Sequence, residues 1–240
     1  MTTSVTTTNP VRSDVLESPT EPESRRTSRG WAVAGVGAGL CGAATIVTSS
    51  MVDTVYQDKY QGQVTGISAD LHDKVGLMFA FHSITALGAV LMLVFAAGLH
   101  RRLRAVMGDS IVPALAAAGL AGTAVVSIMG SGLDTEFMMA LAGDKSVQDS
   151  SAAIYNHWVG TIPWLWTLAG LAGIGLFVAS RRYGVARWVG LVGLVLGGLT
   201  VLLGVSPLEY MSGTTGVLWL LLTSAGFAFG DRRFRGATQA

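Results

Sequence analysis

Polar and apolar positions fall in long blocks along this chain rather than in stripes. Six apolar runs, Trp31–Met51, Val75–Leu99, Ile111–Leu133, Trp158–Ser180, Trp188–Val205 and Thr214–Gly230, contain no Asp, Glu, Lys or Arg in their interiors. A helix that crosses a bilayer needs about 20 mostly apolar residues, and lipid offers the backbone no hydrogen-bond partner, so each run is predicted to be helical. A soluble core helix would carry a polar stripe, and these runs carry none. The pattern predicts an all-α polytopic membrane protein with six transmembrane helices in a compact bundle. The alternative is five spans, with the short last run lying in the interface.

Charge gives the threading. Arg12, Arg25, Arg26, Arg29, Arg101, Arg102, Arg104, Arg181, Arg182, Arg187, Arg232, Arg233 and Arg235 all fall on one side of the six spans, and Lys59, Lys74 and Lys145 on the other. Six acids accompany the 13 arginines, a net +7; nine accompany the three lysines, a net −6. Basic residues in short loops stay in the cytoplasm. Both termini are therefore expected in the cytoplasm, with the acidic loops facing out from the plasma membrane.

Composition narrows the class. Only 13% of the 240 residues are charged and the mean hydropathy is +0.52, against about 25% charged in ordinary soluble domains. A soluble enzyme and a nucleic-acid binder are both disfavoured. Residues 1–29, rich in Thr, Ser, Pro and Glu, lack the apolar content to fold alone and read as a disordered cytoplasmic tail. Residues 30–231 form the six-helix transmembrane domain, and 232–240 a short basic cytoplasmic tail. The polar leader is too long for a signal peptide. Cys41 is the single cysteine and forms no internal disulfide; it reads as a small packing residue.

Small residues at spacing four, Gly35 and Gly39, Ala118 and Gly122, Gly193 and Gly197, Gly226 and Gly230, predict close helix approach. Trp158, Trp164 and Trp166 are expected to anchor the fourth span at headgroup level, and Pro163 to bend it. The two long loops, about 52–74 and 134–157, lie on the acidic side. Asp134 to Leu141 is read as an extension of the third helix, and Ser150 to His157 as an early start of the fourth.

His82 is the one strongly ionisable side chain well inside a span, about 12 Å deep at 1.5 Å per residue. Such residues are candidates for a proton or ligand site, the plainer expectation being a hydrogen bond to a neighbouring helix. On the acidic face His72, Asp134, Glu136 and His157, with Asp70 and Asp73, could form a polar cluster suited to zinc; whether a metal binds is left open, since no HxxxH or HExxH spacing exists. The four histidines, His72, His82, His100 and His157, give no pair at matched depth for a haem. Gly130-Ser131-Gly132 resembles a rhomboid nucleophile only in part, because Met129 stands where that motif has glycine; His82 or His157 would be its base. No Walker A loop or dinucleotide fingerprint occurs.

The C-terminal third carries Arg187 to Gly193 as Arg-Trp-Val-Gly-Leu-Val-Gly, then Gly204, Pro207, Leu218-Trp219 and Arg232-Arg233. It resembles uncharacterised bacterial multi-pass membrane proteins of unknown function, a resemblance that implies a small membrane bundle and assigns no catalytic residue. The reading that follows is a non-enzymatic membrane module, a small transporter, accessory subunit or sensor, with no cofactor and no nucleic-acid partner. Its surroundings are the lipid bilayer, with a homo-oligomer or a membrane partner subunit left open. The alternative is a membrane-embedded enzyme or metal/redox protein using His82 or the acidic-face cluster.

Overall fold

A computed structural model of the protein describes residues 29–143 and 147–230. The tail residues 1–28 and 231–240, and with them Arg25, Arg26 and the last arginine cluster, lie outside the described residues. Six helical segments are long and apolar enough to cross a membrane: Gly30–Val52, Val75–Met107, Val112–Ala142, Asp149–Arg182, Arg187–Gly204 and Met211–Gly230. These are the six predicted runs. They comprise α1 (Gly30–Val52), α3 (Val75–Met107), α4 (Val112–Ala142), α5 (Asp149–Thr161) with α6 (Ala169–Arg182), α7 (Arg187–Val192) with α8 (Gly198–Gly204), and α9 (Met211–Ala225). A one-and-a-half-turn helix, α2 (Ile67–His72), lies in the first long loop.

The spans close into a ring. α1 packs on α3 and α9, α3 on α4, α4 on α6, α6 on α7–α8, and α8 on α9. Glycines set the closest contacts. A Cβ on Gly173 of α6 would stand 2.8 Å from both the carbonyl oxygen of Gly193 and the Cα of Gly197, so the two backbones touch there. Gly35 and Gly39 give way to Phe95, Ser224 and Leu221, and Gly226 to Trp188. In α4 the contact residue beside Leu168 is Gly119, with Gly122; Ala118 is exposed.

Two spans are irregular. Pro163 does more than bend the fourth: α5 ends at Thr161, a 3-10 turn covers Ile162–Trp164, and helix resumes only at Ala169. Missing its N–H and crowding the preceding turn, proline ends the α-helical ladder here. Trp166 falls in this break. It is 5% exposed, donates Nε1 to the Pro163 carbonyl at 3.0 Å and packs on Gly42 and Gly216. It fills the ring, and only Trp158 and Trp164 keep the exposure an interfacial anchor requires. The fifth span passes through a π-helical turn at Gly193–Gly197, and α9 runs into another at Gly226–Gly230.

The acidic end is a folded cap with its own core. Val52, Tyr60, Ile67, Leu71, Met78, Phe81, Met138, Leu141, Ala152, Tyr155 and Val159 are buried together. α4 and α5 extend past the apolar runs to build it, as the extensions at Asp134 and Ser150 predicted. Polar side chains tie the first loop down. Lys74 Nζ donates to the Val52 and Asp53 carbonyls, at 3.3 and 3.1 Å, satisfying the end of α1 as a basic C-terminal partner. Asp149 accepts the backbone N–H groups of Gly66 and Ser68, both at 2.9 Å. Gly66 has φ +91°, a left-handed conformation that glycine adopts without strain.

Candidate functional site

The cap and the membrane-spanning ring meet at a polar cluster drawn from three helices, buried at Ser131, Asp134 and Tyr155 and partly exposed at His82 and Thr135. α3 contributes His82, α4 contributes Ser131, Asp134 and Thr135, and α5 contributes Tyr155. Ser131, Asp134 and Thr135 share one face of α4 because residues three and four apart are neighbours on a helix. α3 and α4 run antiparallel and pack along their length, which brings that face to His82.

His82 Nδ1 meets Ser131 Oγ at 2.9 Å, the Ser131 carbonyl oxygen at 3.0 Å and Thr135 Oγ1 at 3.3 Å. Asp134 Oδ2 stands 3.8 Å from the same nitrogen. A carbonyl oxygen can only accept, so Nδ1 carries the proton and donates to it. The hydroxyls have other acceptors: Ser131 Oγ donates to the His82 carbonyl at 3.3 Å, and Thr135 Oγ1 to the Ser131 carbonyl at 3.1 Å. In the neutral ring Nε2 is then the basic nitrogen.

Asp134 is wholly buried, 0% exposed. Its Oδ1 accepts a short hydrogen bond from the Tyr155 hydroxyl. Tyr155 is itself buried and stacked on Phe137, ring centroids 4.5 Å apart at 16°. Asp134 Oδ2 has no hydrogen-bond donor among the described residues. A buried acceptor left unpaired costs about 1–3 kcal/mol, more if charged. His82 is the nearest group able to satisfy it.

The arrangement is not a hydrolase triad. In a triad the nucleophile and the acid hold opposite nitrogens of the imidazole; here Ser131 and Asp134 approach the same one. Ser131 is 3% exposed, and it lines neither the small cavity beside Trp166 nor the larger one beside Asp53.

The expected acidic-face cluster does not assemble. His72 Nδ1 bonds the Leu141 carbonyl at 2.9 Å, His157 Nδ1 bonds Tyr56 Oη at 3.1 Å, and Glu136 is exposed. Asp134 turns inward to His82 instead. Among the described residues, no group of three His, Cys, Asp or Glu side chains is placed to hold a metal ion. Sequence reading missed Tyr155 and Thr135, and it weighed Ser131 beside His82 only as a nucleophile with its base; the structure brings the two together without a triad. The Ser131–Asp134–Thr135 spacing was the available signal, since it puts three polar groups on one face of an otherwise apolar helix.

Below the cluster lies a cavity of about 20 Å³, water-sized, lined by Thr45, Thr85, Ser127 and Trp166 among others. Thr85 Oγ1 donates its one proton to the Phe81 carbonyl at 2.7 Å and can accept from Thr45 Oγ1 at 3.3 Å.

Comparison with protein-family models, with curated proteins and with solved structures finds no match. The class that fold and composition define is that of a multi-pass helical protein suited to a lipid bilayer; its activity has to be read from the cluster.

Proposed function

We propose that this is a non-enzymatic protein of the bacterial inner membrane, a small transporter, accessory subunit or sensor, in which His82 and Asp134 form a proton-responsive pair. The observation that carries the reading is Asp134 Oδ2, buried without a donor 3.8 Å from His82 Nδ1. The titratable groups acting on Asp134 are Tyr155 from α5 and His82 from α3. A proton added to His82 makes an imidazolium beside a carboxylate, and closing about 1 Å of separation gives a charge-assisted hydrogen bond. A proton on Asp134 instead turns its free oxygen into a donor. Each state favours a different spacing of α3 and α4, and a protonation event becomes a movement. The lone intramembrane histidine, the weak match to any catalytic constellation and the resemblance of the C-terminal third to small bacterial membrane bundles support the non-enzymatic class.

The test is proton uptake by the purified protein in nanodiscs, followed from pH 5 to 8.5 by the infrared carboxylic stretch and by acid–base titration. Wild type should take up a proton that Asp134→Asn and His82→Gln do not. Superimposable titrations for all three proteins would end the proposal. For the threading, a reporter active only in the cytoplasm should work when fused after Ala240 and stay silent within 140–150.

A further inference from the structure

A second cavity, of about 330 Å³, opens at the acidic end between the end of α1, the break after α5 and the start of α9. It is lined by Ser49, Ser50, Asp53, Tyr56, Trp164 and Tyr210, with Gly160 and Met211. We propose that this cavity binds a small alkylammonium ion, held by the Asp53 carboxylate and by the faces of the surrounding aromatic rings.

Three features carry this. The first is size: small-molecule sites run from about 300 Å³ upward, and this cavity admits a compact ligand only. The second is the wall. Two tyrosines and a tryptophan around one carboxylate are the combination that recognises alkylated ammonium groups, whose charge is attracted to ring faces while their methyl groups need apolar contact. The rings are held in place. Tyr210 Oη bonds Thr161 Oγ1 at 2.9 Å, and Tyr56 Oη bonds His157 Nδ1 at 3.1 Å with the two rings edge-to-face.

The third is charge. Asp53 Oδ1 has no hydrogen-bond donor among the described residues. The Lys74 charge acts on Asp53, but its ammonium makes no hydrogen bond to the carboxylate. Lys74 spends its three protons on the Val52 carbonyl, the Asp53 carbonyl and Thr54 Oγ1, the last at 2.8 Å. The surrounding end of the molecule is net acidic in sequence, which concentrates cations at the mouth. A bare divalent ion fits poorly, since one carboxylate is far short of the six or more oxygens that calcium or magnesium requires. Burial raises the Asp53 carboxyl above the usual carboxylate range, against the pull of the Tyr56 backbone N–H, Lys74 and His157. Binding should therefore tighten as the pH rises and Asp53 ionises.

The site shares no side chain with the His82 cluster, and its test is separate. Choline chloride is titrated calorimetrically, at constant ionic strength, into the full chain in nanodiscs of phosphatidylglycerol alone and of equal phosphatidylglycerol and phosphatidylethanolamine, with empty discs subtracted. The expected result is saturable binding of one choline per chain in the first discs. Asp53→Asn should weaken it at least about tenfold through loss of the charge-assisted contact. Tyr210→Leu should weaken it about fivefold, while Tyr210→Phe, which keeps the ring, stays near wild type. His82→Gln should bind as wild type does, whatever becomes of its proton uptake. Weaker apparent affinity in the phosphatidylethanolamine discs identifies the lipid ammonium headgroup as the resident ligand; equal affinity in both identifies a free solute. Absence of saturable binding in both discs, or equal binding by wild type, Asp53→Asn and Tyr210→Leu, overturns the assignment.

Discussion

The side-chain oxygen of Asn156, in α5, accepts the backbone N–H of Thr54 at 2.8 Å, across 102 positions of sequence. The same oxygen takes the Val55 N–H at 2.8 Å, and Asn156 Nδ2 donates to the Val52 carbonyl at 3.3 Å. Asn156 is 0% exposed. One amide thus closes the end of α1 and fixes where the first loop leaves the membrane-spanning ring.

Replacing Asn156 with Ala leaves two backbone donors unpaired, each at a cost of about 1–3 kcal/mol. The unfolding midpoint in detergent should fall, and protease cleavage within 53–66 should appear well before global unfolding. Wild-type resistance of that loop in Asn156→Ala would show that the cap core alone holds it.

His82 separates a packing role from a proton role. Interhelical hydrogen bonds in bilayers are worth about 0.6 kcal/mol on average and about 1–2 in model systems. His82→Leu should lower detergent stability by that order, and His82→Gln should restore part of the loss. Glutamine bonds but takes up no proton near neutral pH, so the Gln variant should be stable yet insensitive to pH between 5.5 and 8. A Gln variant with the wild-type pH response would leave His82 as packing alone.

Gly173→Ala probes a backbone-to-backbone helix contact. The added methyl meets Gly193 and Gly197 backbone at 2.8 Å and the indole Nε1 of the buried Trp219 at 2.9 Å, and backbone has no rotamer by which to swing aside. Overpacking of this kind costs about 1–3 kcal/mol. Gly160→Ala, whose added methyl has nothing within 4 Å, should stay close to wild type. Equal melting curves for the two variants would mean that α6 and the fifth span separate easily.

Asp53 predicts a pH dependence of opposite sense to the usual carboxylate. Its folded pKa is raised by burial, so the folded protein keeps this proton at a pH where the unfolded chain has lost it. The resulting stability is fully present below the ordinary carboxylate pKa and is lost as pH rises through the raised value. Asp53→Asn should flatten that part of the stability profile and leave the protein at least as stable as wild type at pH 7. A variant less stable than wild type at pH 7 and unaltered at pH 4 would reverse the sign.

The six spans were legible because lipid tolerates so few alternatives: an apolar run of that length has to be helical. Their ends were less so. α3 continues beyond Leu99 through Arg101, Arg102 and Arg104 to Met107, where helix persists after the apolar signal has stopped. The cap's core was illegible for a related reason. Tyr60, Ile67 and Leu71 come from one loop and Ala152 and Tyr155 from the other, and in both stretches polar residues interrupt the apolar positions, so no long run announces burial. His82 stood out because nothing else strongly ionisable lay so deep. Asp134 was placed in the acidic-face cluster because the apolar run stops at Leu133; only the folding of α5 over that end of α4 buries it. The fit of Trp166 into the ring depends on the break at Pro163, which a helical reading of the fourth span does not anticipate.

On the transporter reading proposed above, Trp166 has a consequence for traffic through the molecule. Its indole is wedged against glycines of α1 and α9 and faces residues of α3 and α4 across the small cavity, so it sits as a stopper at the middle of the ring. A solute crossing by this route must wait for the stopper to swing out. Passage is then counted in conformational cycles, which for collective helix motions take microseconds to milliseconds, and the protein would behave as a turnstile with a turnover number and not as a pore with a conductance.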